Sequence, residues 1–122
     1  MLKVGLVGVG GISGAHIPAW RSMEDVELAA LCDVRPEQMT RYPELRQYTD
    51  MDDMLAKEQL DILDICLPTY LHADAAVKAM ERGIHVLSEK PVSLKTGDVH
   101  RLYETAKRNN VHFMVAQVLR FW

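Results

Sequence analysis

Cysteine is scarce in this chain, with two residues among 122, Cys32 and Cys66, and no CxxC spacing. Small domains held together by disulfides or by structural zinc need several paired or clustered cysteines, so the sequence excludes both classes. Both cysteines lie inside apolar stretches. We therefore predict two reduced thiols in the core and no metal site.

Long hydrophobic runs are also missing. No apolar run approaches the roughly 20 residues that cross a bilayer. The N-terminus, MLKVGLVGVGG, has neither the length nor the cleavage site of a signal peptide. These absences predict a soluble, cytoplasmic protein without a membrane partner.

The chain has no excess of basic charge. Lys and Arg total 14 against 17 Asp and Glu, which gives a net charge of −3. The electrostatic footprint of a nucleic-acid-binding protein is therefore lacking, and we predict no nucleic-acid partner. What is present is ample apolar material, 48% of the residues, in a chain long enough to form a core. We predict a single globular domain over residues 1–122.

Short apolar runs rich in valine, leucine and isoleucine alternate along the chain with segments of helical spacing. The runs are apolar at consecutive positions, as strands of a buried parallel sheet are. The alternation predicts the α/β class, with a Rossmann-type doubly wound parallel sheet and helices on both of its faces. Strands are predicted over residues 2–8, 26–32, 61–67, 84–88 and 112–118, and helices from about Ile12, after Asp50, and around 73–80 and 99–106.

Prolines interrupt two segments of the predicted pattern. Pro18 interrupts the first helical pattern, so we expect it to kink that helix or to end it early. Pro36 and Pro43 permit only a short helix or a turn over residues 35–47. Beyond them, Asp50 is predicted to cap the next helix through its carboxylate.

A glycine-rich motif, Gly8-Val9-Gly10-Gly11-Ile12-Ser13, directly follows the first predicted strand and opens the first helix. Gly8 permits a tight turn, and Gly10 lets the backbone approach a pyrophosphate held at the helix N-terminus. Ser13 stands where a third glycine is usual, and it is small enough for close packing of helix and strand. The motif predicts dinucleotide binding, although an ordinary strand-to-helix turn can have the same pattern.

Asp33 ends the second predicted strand, 23 residues beyond Gly10. A carboxylate there accepts hydrogen bonds from a ribose 2′-hydroxyl and repels a 2′-phosphate, which favours NAD over NADP. Arg35, two residues further on, keeps NADP open. Methyltransferases that use S-adenosylmethionine also have an acidic residue after their second strand, so they remain an alternative at this point.

The doubly wound order places Cys32 and Cys66 on strands that flank the first strand on opposite sides. These strands are about 10 Å apart, because neighbouring strands are separated by about 4.8 Å. A disulfide requires Cα atoms within about 7 Å of each other. The predicted fold therefore excludes a bond between the two cysteines.

Two further motifs are Leu67-Pro68-Thr69-Tyr70-Leu71-His72 and Ser88-Glu89-Lys90-Pro91. Together with the glycine motif and Asp33, they resemble the Gfo/Idh/MocA oxidoreductase family over essentially the whole chain. The resemblance argues against a methyltransferase. It implies hydride transfer between NAD(P) and a sugar, a polyol or a related hydroxyl compound.

The resemblance also implies roles for individual residues. Lys90 would be catalytic, because its ammonium would hydrogen-bond the substrate hydroxyl and stabilise the alkoxide that develops as hydride leaves. Glu89 would contact the nicotinamide ribose, and a cis peptide before Pro91 would turn Lys90 into the cleft. The complete set of predicted cofactor-binding residues is Gly8, Gly10, Gly11, Ile12, Asp33, Arg35, Leu67, Pro68, Thr69, His72, Glu89 and Lys90.

Members of the family are normally far longer and have a second domain that covers the substrate. An Asp and His pair of that domain has no counterpart in this sequence, so we expect the chain alone to bind nucleotide without turning over substrate. Its apolar end, residues 118–122, is a predicted surface for self-association into a homo-oligomer. Two alternatives stay open: a non-catalytic dinucleotide-binding module or sensor, and a remnant that binds nothing.

Overall fold

The computed structural model of the chain describes residues 1–11, 13–89 and 96–116. Within them, one sheet of six parallel strands has the order β3-β2-β1-β4-β5-β6. This is the doubly wound α/β fold that the alternation of strands and helices predicts. The strands are β1 (Leu2–Val7), β2 (Val26–Cys32), β3 (Arg46–Tyr48), β4 (Ile62–Ile65), β5 (His85–Glu89) and β6 (Phe113–Ala116), and the helices are α1 (Ser13–Arg21), α2 (Met51–Lys57), α3 (His72–Met80) and α4 (Thr96–Asn109).

The centre of the sheet is β1, which pairs with β2 on one side and with β4 on the other. The chain runs outward from β1 to β3 and then crosses back over the sheet to β4. A crevice opens where the connections leave β1 and β4 in opposite directions, at their carboxyl ends. Such a crevice is where ligands of open parallel sheets bind.

Helices cover both faces of the sheet and enclose two apolar cores. On one face, Ile17 of α1 packs with Leu6 and Leu31 of the sheet. On the other face, α2, α3 and α4 contribute to a larger core, in which Met80 and Leu102 are buried. Among the described residues, no helix has both the length and the apolar composition to cross a membrane.

The prediction that the cysteines are reduced core thiols is confirmed. Cys32 ends β2 and Cys66 directly follows β4, and both are buried thiols outside any disulfide. They lie on opposite sides of β1, as the strand order requires.

Pro18 does not end α1 early. The helix extends through it to Arg21, and Ser22 N donates to the carbonyl oxygen of Pro18 at 3.1 Å. A proline removes the N–H that would bond four residues back, so the carbonyl of Gly14 loses one partner. Packing of the buried Ile17 against the sheet keeps this short helix in place.

The sequence did not predict β3. Residues 35–47 were expected to form only a short helix or a turn, and a 3-10 turn is present at Pro36–Met39. Arg46–Tyr48 then pairs with β2 as an edge strand of three residues. Since Arg46 and Gln47 are exposed, this strand has no apolar pattern by which sequence reasoning could find it.

The helical spacing around residues 99–106 correctly indicates α4. The residues that α4 buries, however, are not all those at the apolar positions of that spacing. Leu102 is buried, whereas Val99 and Tyr103 are 51% and 63% exposed. Thr105 is buried instead, and its hydroxyl donates to the carbonyl oxygen of Arg101 at 2.7 Å. This hydrogen bond satisfies the hydroxyl, so a polar residue can occupy the inner face.

Candidate functional site

Gly8 makes the turn between β1 and α1 and has a φ of +94°. Its N–H donates to the carbonyl oxygen of Cys32 at 2.9 Å. A Cβ at this position would lie 2.7 Å from the carbonyl carbon of Cys66. Both the positive φ and the contact with the backbone after β4 therefore require glycine.

The remainder of the glycine loop is open toward solvent. A Cβ at Gly10 or at Gly11 would meet no atom within 4 Å. Below the loop, Ser13 is 2% exposed, and its hydroxyl donates to the carbonyl oxygen of Gly10 at 2.6 Å. The loop thus has room on its outer side for a ligand at the start of α1, and a small residue fills the close contact beneath it.

Asp33 links the glycine loop to the segment after β2. Its Oδ2 accepts a hydrogen bond from Val9 N at 2.8 Å, and its Oδ1 accepts one from Arg35 N at 2.9 Å. A carboxylate can accept about four hydrogen bonds, so it retains acceptor capacity for the two hydroxyls of a ribose. The carboxylate can therefore hold the loop and contact a nucleotide at the same time.

A cavity of about 830 Å³ lies at the carboxyl ends of β1, β2 and β4. Three exposed apolar side chains, Val34, Tyr70 and Leu71, form part of its rim. The cavity brings together residues that the sequence places far apart. Its predicted members are Gly8, Gly10, Asp33, Arg35, Leu67 and Pro68.

His72 and Thr69 do not line this cavity. His72 is 2% exposed, and its Nε2–H donates to the carbonyl oxygen of Leu67. Its Nδ1 lies 3.3 Å from the hydroxyl of Ser88 on β5. The imidazole therefore lies under the Leu67-Pro68 segment and holds it in place. Thr69 begins the 3-10 turn Thr69–Leu71.

Cys32 also lines the cavity, but it remains a neutral thiol. Burial raises its pKa to about 12, and the charges of Asp33 and Asp50 act in the same direction. A thiol with this pKa carries no negative charge near neutral pH, so it does not repel a phosphate in the cavity.

Val34, Gln38 and Tyr70 are among the cavity residues that the sequence did not single out. Val34 and Tyr70 are 82% and 80% exposed, which is unusual for large apolar side chains. The signal available in the sequence was their position, since each closely follows a strand that ends at the crevice. A smaller cavity of about 500 Å³ lies on the other side of the loop, against Gly11, Gly14 and Arg41.

Several predicted features lie outside the described residues: Ile12, Lys90, the cis peptide before Pro91, and the apolar end at 118–122. Glu89 is the last residue of β5, where its backbone pairs with Ala116. Because all strands are parallel, the end of β5 is at the same edge of the sheet as Gly8.

Comparison with known proteins identifies the family. The sequence model of Gfo/Idh/MocA, described as an oxidoreductase family with an NAD-binding Rossmann fold, matches residues 2–117. D-apiose dehydrogenase of Paraburkholderia graminis is 31% identical over 98% of this chain and 33% of its own length. Glycosyl hydrolase family 109 protein 2 of Phocaeicola vulgatus is 29% identical over 96% of this chain and 31% of its own.

A solved structure shows the same fold. The WlbA dehydrogenase of Bordetella pertussis, in complex with NADH and UDP-GlcNAcA, superimposes with a TM-score of 0.93 at 32% identity. The match covers 98% of this chain and 38% of that one. The chain thus spans about a third of the length of these relatives. It belongs to the Gfo/Idh/MocA oxidoreductase family and has the family's NAD-binding Rossmann fold.

Proposed function

We propose that this chain is the nucleotide-binding half of an NAD-dependent oxidoreductase, one that moves hydride between nicotinamide and a sugar, a polyol or a related hydroxyl compound. The observation that carries the proposal is the crevice, where the glycine loop, Asp33 and Leu67-Pro68 surround one cavity. Relatives named as dehydrogenases support the activity, and their greater length supports a second, substrate-binding domain in a longer parent chain.

The cavity has a polar end and an apolar rim that suit the two ends of an adenosine diphosphate group. The N–H groups at Gly10 and Gly11, with the positive end of the α1 dipole, favour the pyrophosphate. Asp33 accepts the ribose hydroxyls, and the exposed Val34 and Tyr70 offer apolar surface to the adenine. The nicotinamide then extends along the carboxyl edge of the sheet toward the end of β5.

Asp33 selects NAD over NADP in this proposal. Its carboxylate is fixed by the N–H groups of Val9 and Arg35, so it cannot turn away from a 2′-phosphate without loss of both hydrogen bonds. The Arg35 side chain is the group that would favour NADP.

The test is a calorimetric titration of the chain with NADH and NADPH in parallel. We expect the wild-type chain to bind NADH more tightly than NADPH. Asp33→Ala should lower the affinity for NADH and reduce the ratio of the two affinities by about tenfold. Asp53→Ala, which removes an exposed carboxylate of α2, is the matched control and leaves both affinities unchanged. A folded chain that binds neither nucleotide would overturn the proposal.

In a longer parent, the bound nicotinamide would accept the hydride, and we propose that Lys90 stabilises the alkoxide on the substrate. Lys90 directly follows β5, whose end lies at the edge of the sheet that carries the crevice. Lys90→Ala should leave NADH affinity within a few-fold and abolish turnover, because an ammonium beside the developing oxyanion acts mainly in the transition state. Unchanged turnover would remove Lys90 from the mechanism.

A second candidate is glycoside cleavage, which is favoured by the relative named as a glycosyl hydrolase. The two candidates share the nucleotide half described here and differ in what the parent does with its substrate. Release of phenol from aryl glycosides without net NADH formation would favour glycoside cleavage. Stoichiometric NADH formation from a polyol would favour the dehydrogenase. The family match disfavours a module that only binds dinucleotide.

We also propose a cytoplasmic location. Its support is that the fold holds the buried Cys32 and Cys66 on opposite sides of β1, so it depends on no disulfide and needs no oxidising compartment. Fractionation of cells that express the tagged protein would test this location.

A further inference from the structure

A buried carboxylate lies on β4, beneath the glycine loop and outside the wall of the cavity. Asp64 is 0% exposed, and its Oδ2 accepts hydrogen bonds from His16 Nδ1 and Trp20 Nε1, both at 2.7 Å. Both donors belong to α1. A carboxylate is costly inside a parallel sheet unless it is hydrogen-bonded, and these contacts offset that cost. They do not explain why a charged residue occupies this position.

The position of Asp64 relates it to the nucleotide site. Its Oδ1 lies 3.7 Å from the thiol of Cys66. The carbonyl group of Cys66 is the one against which Gly8 packs, and Cys66 N donates to the carbonyl oxygen of Val7 at 2.8 Å. Asp64 therefore contacts both α1 and the segment that follows β4. The glycine loop lies between these two elements.

We propose that Asp64 is a positioning residue for the pyrophosphate site, which it serves through His16 and Trp20 by fixing α1 relative to β4. The inference rests on the NAD-binding function of the crevice. The N–H groups that bind a pyrophosphate are carried by the loop and by the first turn of α1, and His16 is on that turn. A shift of α1 along the sheet would move these groups away from the phosphate oxygens, and hydrogen bonds weaken steeply with such misalignment.

A metal site is the other chemistry that this cluster suggests. Ligand atoms of His16, Asp64 and Cys66 all lie within 4.8 Å of one another. However, His16 Nδ1–H and Trp20 Nε1–H both donate to Oδ2 of Asp64, and a cation bound to Nδ1 would have to displace the hydrogen bond from His16. The hydrogen-bonded arrangement is therefore the one we assign.

The experiment compares ligands with and without a pyrophosphate. Asp64→Asn should weaken ADP and NADH about tenfold, the equivalent of one lost hydrogen bond to a charged group. Adenosine should bind within about twofold of its wild-type affinity, because the contacts proposed for it are with Asp33 and Tyr70 and it has no phosphate to lose. A general loss of structure would weaken all three ligands alike.

Glu58→Gln provides the matched control. Glu58 is the other carboxylate in the described chain that is buried and bonded by side chains, here Arg46 and Tyr48. It lies at the end of α2 and does not line the cavity. This variant should lower the stability of the fold without changing the affinity for ADP. Equal effects of Asp64→Asn and Glu58→Gln on ADP binding would overturn the inference.

If Asp64→Asn does not fold, Trp20→Phe is the variant to measure. It removes one hydrogen-bond donor to Asp64 and keeps an aromatic ring. It should weaken ADP about threefold and spare adenosine. Unchanged ADP affinity in this variant would overturn the inference about Asp64 and leave the proposed function standing. Stoichiometric zinc binding by the wild-type chain would do the same. A folded wild-type chain that binds neither ADP nor NADH would overturn the proposed function as well.

Discussion

Gly8 and Gly10 belong to one motif but meet different constraints. Gly8 is required by the protein itself, since its φ is +94° and its Cα faces the backbone of Cys66. Gly10 faces open space, so no contact within the protein requires a glycine there, and we propose that a nucleotide approaching the loop does. A substitution at Gly8 therefore tests the stability of the fold, whereas a substitution at Gly10 tests nucleotide binding.

Gly8→Ala should destabilise the fold by at least about 2 kcal/mol, because a side chain at positive φ is strained and its Cβ meets backbone that cannot yield. Urea denaturation measures this loss. Gly10→Ala is the control and should unfold at nearly the wild-type urea concentration while it binds NADH more weakly. Similar stability of the two variants would contradict this assignment.

Helix α2 shows how one short element is held at both ends. At its start, Asp50 accepts a hydrogen bond from Asp52 N at 2.9 Å. At its end, Glu58 N donates to the carbonyl oxygen of Met54, and the Glu58 side chain accepts from Arg46 and Tyr48 of β3. The residue that ends α2 therefore also stabilises β3, the polar edge strand that the sequence does not predict.

Asp50→Ala should cost about 1 kcal/mol of unfolding free energy, since it leaves the N–H of Asp52 without its cap. Thermal denaturation followed by circular dichroism measures the change. Asp53→Ala removes only an exposed partner of Lys57 and should cost a few tenths of a kcal/mol. An equal loss in both variants would show that the cap is not what Asp50 contributes.

The Glu58 cluster predicts part of the acid sensitivity of the fold. The hydrogen bond from Arg46, opposed by burial and assisted by Tyr48, lowers the pKa of Glu58 below its ordinary value of 4.5. A carboxyl with a lowered pKa in the folded state contributes stability above its unfolded pKa and loses it as the pH falls through the folded pKa. Wild-type stability should therefore fall below about pH 4.5 more steeply than that of Glu58→Gln. Parallel pH profiles in urea denaturation would contradict this prediction.

At the scale of the whole molecule, the site exists only because the sheet reverses its strand order at β1. The cavity takes Gly8 from the first connection, Asp33 from the second and Pro68 from the segment after β4. Its walls are thus distant in sequence and are joined through the core. A ligand that spans them binds the folded chain and not the unfolded one.

NADH should therefore stabilise the chain against heat. At a free concentration of 100 times Kd the gain is about 2.7 kcal/mol, or an increase in Tm of roughly 10 °C for a domain of this size. Differential scanning calorimetry at rising NADH concentration measures the shift. NADPH at the same concentration should give a smaller one, and a Tm independent of both nucleotides would contradict the assignment of the crevice.

The sequence by itself determined features that depend on neighbours along the chain. Apolar runs and helical spacing placed most of the elements, since a buried parallel strand and an amphipathic helix each have their own period. The glycine motif, Asp33 and the cap at Asp50 could be recognised in the sequence because each stands next to the end of a strand or the start of a helix. The family resemblance also came from local motifs.

Only the tertiary structure decided the features that depend on distant partners. β3 forms because β2 and Glu58 bind its polar residues, and Thr105 is buried because α4 meets its neighbours on that side. His72 lies under the Leu67 segment because β5 brings Ser88 beneath it. Asp64 meets His16 only when β4 pairs with β1, so no local pattern could have related the two residues.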